Sequence, residues 1–92
     1  MGEYVPAEHI FNWAMNDAGL YSRFQDYVNY VRRKPQNIHA IANFANNLAE
    51  DTVKKAIKCN DFDAQYNTAD VKRDAARLFL REAEELSGVT IK

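Results

Sequence analysis

The sequence predicts an all-α protein, a single domain built as a bundle or compact array of about four helices. Apolar residues recur at helical spacing over nearly the whole chain, and no stretch shows the alternation of a strand. Pro6, Gly19, Pro35 and Gly88 fall where helices would begin or end. The chain has 92 residues, enough for one domain, because domains typically contain roughly 100–200 residues. We therefore treat residues 1–92 as one helical domain.

The first two helices are predicted at about 6–18 and 22–34. Pro6 suits the first helical position, where its missing N–H would have no partner within the helix. Gly19 is interpreted as a left-handed C-terminal cap of the first helix. The second helix follows the i, i+3, i+4, i+7 apolar pattern and ends before Pro35.

The third helix is the longest, predicted at about 38–59 with Asn37 as its N-cap. The polar residues between 46 and 51 leave a second possibility, in which this segment divides into two helices. If it is continuous, its alanines let another helix approach closely. Its predicted buried face contains Ile38, Ile41, Ala42, Ala45, Leu48, Ala49, Thr52, Ala56 and Cys59.

Residues 60–67 are predicted to form a loop that Phe62 and Tyr66 hold against the core. The last helix follows at about 68–87. Asn67 or Thr68 is expected to cap its start, and Gly88 to end it. The apolar stripe of this helix contains Val71, Ala75, Leu78, Phe79, Ala83 and Leu86.

Charge and cysteine content limit the classes of protein. Twelve basic and 13 acidic residues give a formal charge of −1, so no strong field draws the whole chain to nucleic acid or anionic lipid. Cys59 is the only cysteine, which favours a reducing compartment. The N-terminus lacks the pattern of a secretory signal, and no apolar run could span a membrane. We expect a cytoplasmic protein that does not enter membranes.

The metal-ligand pattern of the sequence is poor. His9, His39 and Cys59 are the only nitrogen and sulfur ligands of the usual kind, and none has a second one three or four positions away. Residues 61–67 alternate oxygen ligands as a calcium loop does, but that loop requires Gly at position 6 and Glu at position 12. Tyr66 stands at the first of these positions, and Lys72 at the second. We predict no metal and no cofactor.

Catalytic patterns are equally weak. Ser22 and Ser87 lie at predicted helix ends without the Gly-x-Ser-x-Gly sequence of a nucleophile elbow. Acid–base catalysis needs carboxylates in a cleft with shifted pKa values, which no spacing in this sequence indicates. With glycine only at positions 2, 19 and 88, a glycine-rich phosphate loop is also excluded. We predict that the protein is not an enzyme and has no catalytic residue.

Large apolar residues outside the predicted core stripes favour protein binding. Trp13, Tyr30 and Leu80 fall off or at the rim of their stripes, and aromatic residues and arginine are the usual anchors of interfaces. Burial of Trp13 in the core is the competing interpretation. We expect a regulator, adaptor or inhibitor that binds another protein, or a second copy of itself, through a helix face. The predicted contact residues are Trp13, Tyr30, Leu80, Arg32, Arg33 and Arg77.

Nucleic-acid binding is the alternative function. Basic residues cluster at 32–34, 54–58 and 72–81, and tyrosines near the first cluster could stack on bases. In the last cluster, acidic residues three or four positions away are expected to pair with the arginines. The residues that would contact nucleic acid are Arg32, Arg33, Lys34, Lys54, Lys55 and Lys58.

Overall fold

The computed structural model describes residues 6–90, and over this range the protein is all-α, as predicted, with no strand. A short 3₁₀ turn, Ala64–Tyr66, interrupts the connection between the last two helices. The α-helices are α1 (Pro6–Met15), α2 (Ala18–Arg33), α3 (Ile38–Lys58) and α4 (Ala69–Ser87).

Helix α3 runs antiparallel to α2. At one end of this pair, Lys55 Nζ donates to Asp17 Oδ2 at 2.9 Å. At the other end, the Asn37 side-chain amide donates to the Tyr30 hydroxyl at 2.7 Å. Helix α3 is continuous, so the alternative break near residues 46–51 does not occur.

Helix α4 runs in the same direction as α2, and α1 packs across both. The rings of Phe24 and Phe79 lie 5.9 Å apart, and two turns further along both helices Arg32 Nη2 lies 3.5 Å from the Leu86 carbonyl oxygen. Phe11 of α1 contacts both phenylalanines, with ring centroids 6.0 Å from Phe24 and 5.3 Å from Phe79. The three rings therefore join α1, α2 and α4 at the centre of the molecule.

The core consists almost entirely of apolar side chains from all four helices. Phe79 and Tyr27 are the largest side chains that are fully buried. The Tyr27 hydroxyl has no hydrogen-bond partner among the described residues, although Glu84 lies close enough to act on its charge. Burial, and secondarily the negative charge of Glu84, raise the pKa of Tyr27 far above its ordinary value. Tyr27 is therefore a neutral phenol within an apolar core.

The boundary between α1 and α2 differs from the predicted one. Helix α1 ends at Met15 instead of residue 18, and α2 begins at Ala18 instead of residue 22. Asp17 causes the early start, because its carboxylate accepts a hydrogen bond from the Leu20 backbone N–H at 3.0 Å and so caps α2. Gly19 consequently lies in the first turn of α2 and is not the C-terminal cap of α1.

The remaining helix ends depend on different groups. The Thr68 hydroxyl accepts from the Val71 N–H at 3.2 Å and caps α4. Gly88 ends that helix with a φ of 76°, the left-handed conformation expected of it. Asn37 precedes α3 but makes no side-chain capping bond, because its amide is turned to Tyr30.

Four residues assigned by periodicity to buried faces are exposed. Ile38, Ala42 and Cys59 lie on the buried face predicted for α3, and Leu86 on that of α4, yet all four side chains reach solvent. Ile38 begins α3, Cys59 directly follows its last turn, and Leu86 lies in the last turn of α4, so all three are at helix ends. Leu86, at 59 % exposure, is the most exposed large apolar side chain among the described residues.

Candidate functional site

A groove of about 690 Å³ lies along α2, between that helix and the C-terminal ends of α1 and α4. Its lining is mixed, with apolar and aromatic side chains beside two amides and two charged groups. From Tyr21 to Arg32, α2 contributes about three turns to this surface. The lining residues, hereafter the groove, are Phe11, Met15, Tyr21, Phe24, Gln25, Val28, Asn29, Arg32, Glu82 and Leu86.

The floor of the groove is rigid because it belongs to the core. Phe24 is only 2 % exposed, and Phe11 meets it edge-to-face with an interplanar angle of 89°. Phe79 supports both rings from below. The shape of the groove is therefore set by close-packed side chains.

The walls of the groove carry exposed apolar side chains. Among the described residues, three large apolar side chains are classed as exposed, and two of them, Leu86 and Tyr21, line the groove. Leu86 projects from the last turn of α4 and is 59 % exposed; Tyr21 projects from the first turn of α2 and is 44 % exposed. The third, Ile38, lies outside the groove lining.

The groove is lined by one cation, Arg32, and one anion, Glu82. Arg32 belongs to α2, where it donates to the Asn29 side-chain oxygen at 3.3 Å and to the Leu86 carbonyl oxygen at 3.5 Å. Glu82 belongs to α4. Within residues 6–90, neither Arg32 nor Glu82 takes part in an ion pair shorter than 4.0 Å. Both charges thus remain available to a bound molecule.

The predicted anchor Trp13 lies in a different place and has a partner within the chain. Its indole N–H donates to Asp61 Oδ2 at 2.8 Å, and its ring packs against Phe62 at 6.3 Å. Phe62 in turn stacks on Tyr66 at 4.1 Å, and the Tyr66 hydroxyl shares a 2.9 Å hydrogen bond with His9 Nδ1. These five residues form what we term the aromatic cluster, which fastens loop 60–67 to α1.

The other predicted anchors are half-buried. Tyr30 accepts the hydrogen bond from Asn37 and packs its ring 6.4 Å from that of Phe44. Leu80 packs against the core from the side of α4. Of the six residues predicted to bind a partner, Arg32 is the one that lines the groove, and Arg33 and Arg77 are exposed elsewhere. The binding role of these residues stays a prediction.

Acidic neighbours occupy much of the predicted basic surface. Lys54 and Lys72 both approach Glu50, at 4.0 and 3.4 Å, and Arg73 pairs with Asp70 at 2.6 Å. Lys55 pairs with Asp17. Lys58 is exposed next to this group, and the residues from Arg32 to Lys34 are exposed at the end of α2. Nucleic-acid binding through these residues also stays a prediction.

Two groove residues escaped the sequence analysis for identifiable reasons. Leu86 shares the apolar stripe of α4, and periodicity alone cannot show that the neighbouring helices leave its last turn uncovered. The predicted start of the second helix at residue 22 leaves Tyr21 outside it, because Gly19 also fits a C-terminal cap of the first helix. Asp17 was the signal that could have corrected this, since Asp is a preferred N-cap and would have put Tyr21 in the first turn of α2.

Over residues 6–90, no three His, Cys, Asp or Glu side chains are grouped so that they could hold a metal ion. None of the helices in that range combines the length and apolar character needed to cross a bilayer. No protein-family model, curated protein or solved structure matches the chain.

Proposed function

We propose that this chain is a non-enzymatic binding protein, a regulator, adaptor or inhibitor, and that it acts by docking a protein surface in the groove. The observation that carries the proposal is the exposure of Leu86 and Tyr21 beside a recess over the Phe24 and Phe11 rings. Exposed apolar groups that are contiguous and rimmed by polar residues are typical of interaction sites. Gln25, Asn29 and Arg32 supply such a rim here.

The energetics of the groove favour a protein ligand. Burying an exposed leucine side chain completely stabilises a complex by roughly 1.5–3 kcal/mol. Leu86 and Tyr21 together offer such burial. The floor formed by Phe24 and Phe11 is already packed, so these side chains need little reordering on binding. Arg32 adds a side chain of the type that is enriched among interface anchors.

A capture experiment with matched variants tests the proposal. The tagged chain is incubated with lysate of its source cell as wild type, Leu86→Ser and Tyr21→Ala, with Ile38→Ser as the control. Ile38 is 47 % exposed, comparable to Tyr21 and Leu86, but does not line the groove. Circular dichroism and thermal melting first establish that each variant is folded. Self-association of each purified variant is measured by sedimentation.

We expect wild type and Ile38→Ser to bind the same partner, which is either a lysate protein or a second copy of the chain. Both groove variants should bind that partner with an affinity at least about tenfold lower. Equal binding by all four chains would overturn the proposal. A nuclease-treated half of the lysate tests the alternative function. If capture disappears with nuclease and persists in the groove variants, the basic residues and not the groove mediate binding.

A further inference from the structure

Resting on the proposed function, we infer the occupant of the groove: a second copy of this chain, bound in a two-fold symmetric dimer in which Arg32 of each copy pairs with Glu82 of the other. The inference comes from the charges and the shape of the groove. A two-fold interface joins the same surface of both copies, so that surface must be complementary to itself. The groove meets this condition in two independent ways.

The first way is electrostatic. The lining contains one cation, Arg32 of α2, and one anion, Glu82 of α4, and its other residues are uncharged. A two-fold axis that lies in the plane of the groove, midway between these groups, exchanges their positions. Each Arg32 then faces the Glu82 of the second copy, and two identical ion pairs form. Neither group has an ion-pair partner within residues 6–90, so no existing pair is broken.

The second way is steric. The same face presents projecting side chains, Leu86 and Tyr21, and a recess above Phe24 and Val28. In a two-fold dimer the projections of each copy approach the recess of the other. Leu86 lies one helical turn from Glu82 on the same wall, so the ion pair and the leucine contact form together. Both copies then bury the most exposed large apolar side chain described.

A strongly charged partner fits this groove less well than a second copy does. The formal charges of the lining sum to zero, so neither an acidic nor a basic peptide would gain a net attraction. The basic depression lined by Arg23, Lys54, Lys55 and Lys58 does not compete as a ligand site either. Asp51 and Asp17 of the chain itself already pair with two of those cations.

A charge-exchange experiment tests the dimer. Sedimentation equilibrium is measured for the wild type, for Arg32→Glu, for Glu82→Arg, and for an equimolar mixture of these two variants. In a dimer of either variant alone, residues of like charge face each other at both Arg32–Glu82 positions. In a dimer of one variant with the other, residues of unlike charge face each other at both positions. Arg81→Glu is the matched control, because Arg81 is an exposed arginine outside the groove lining. Leu86→Ser tests the apolar contact, and circular dichroism verifies folding.

We expect the wild type and Arg81→Glu to dimerise and each single groove-charge variant to dimerise at least about tenfold more weakly. The mixture should recover dimer, and added salt should weaken it. Several results would overturn the inference. These are a wild type that is monomeric at about 1 mM chain, an undiminished dimer of Leu86→Ser, or failure of the mixture to associate. If the wild type is monomeric but groove variants still lose capture of another protein, the proposed function stands and the self-pairing does not.

Discussion

Helix α1 separates two surfaces that contain similar residue types but differ in whether the chain itself covers them. On one side, Trp13 faces loop 60–67 as part of the aromatic cluster. On the other side, Phe11 and Met15 line the groove. Both surfaces contain half-exposed aromatic and apolar side chains, but the cluster finds its partners within the chain. The groove leaves Leu86 and Tyr21 largely in solvent.

The difference shows what decides whether an apolar side chain becomes an interface residue. Trp13 is off the core stripe of its helix, and a loop distant in sequence covers it. Leu86 is on the core stripe of α4, and residues 6–90 leave it 59 % exposed. The position of a residue on a helical wheel therefore predicts its direction, while the ends and lengths of neighbouring elements decide its burial.

The largest expected effect is a loss of folding stability that occurs in the aromatic cluster and not in the groove. Trp13→Ala removes both a ring contact with Phe62 and the hydrogen bond to Asp61, so loop 60–67 loses its attachment to α1. We expect the free energy of unfolding to fall by about 2 kcal/mol, below the 3–5 kcal/mol of a fully buried tryptophan. Leu86→Ala should change it by less than about 0.5 kcal/mol, as surface substitutions do. Urea denaturation measures both.

Leu86→Ala serves as the matched comparison in that experiment, since it deletes apolar atoms at an exposed site. If both variants lost similar stability, the groove would be an integral part of the folded core and the distinction between the two surfaces would fail. Trp13→Ala with no loss would instead show that the aromatic cluster contributes nothing to folding.

A smaller expected effect distinguishes the hydroxyl of Tyr66 from that of Tyr27. In the aromatic cluster the Tyr66 hydroxyl is hydrogen-bonded to His9, and Tyr66→Phe should lower the free energy of unfolding by about 1 kcal/mol. The Tyr27 hydroxyl is buried without a hydrogen-bond partner among the described residues, and the Tyr27 ring packs 4.9 Å from that of Phe44. Tyr27→Phe should leave stability unchanged or raise it by up to about 1 kcal/mol, because the desolvated hydroxyl is removed. Thermal and urea unfolding measure both variants.

A loss of stability in Tyr27→Phe as large as that in Tyr66→Phe would contradict the comparison. It would mean that the Tyr27 hydroxyl is bonded in solution, for example through a water molecule or Glu84. Tyr66→Leu provides a further reference, because it removes the stacked ring as well as the hydroxyl and should cost more than Tyr66→Phe.

The fold followed from the sequence more completely than the groove did. Periodicity predicts four helices because each must bury one face, and Thr68 and Gly88 act through local bonds that residue type determines. The α1–α2 boundary is set by Asp17, which caps α2, and not by Gly19 two residues later, although a glycine there also fits the end of α1. The exposure of Leu86 depends on where other helices end in space. No spacing within α4 contains that information.

The smallest expected effect concerns Asp17, which anchors the start of α2, the helix that carries Tyr21. The hydrogen bond from Lys55, followed by that from the Leu20 backbone, lowers the pKa of Asp17 below its ordinary value of 3.8. A lowered pKa in the folded state means that ionised Asp17 stabilises the fold above pH 3.8 and loses this effect as the pH falls through the folded value.

Asp17→Asn isolates this charge, because Asn also caps helices well but does not ionise. We expect the variant to melt at a lower temperature than the wild type at neutral pH, with a difference that shrinks as the pH drops below 3.8 and as salt screens Lys55. Calorimetry across this pH range measures the difference. A difference that stayed constant down to pH 2 would mean that Asp17 acts on α2 through its capping geometry alone. In that case the ion pair with Lys55 would not help to hold the Tyr21 wall of the groove in place.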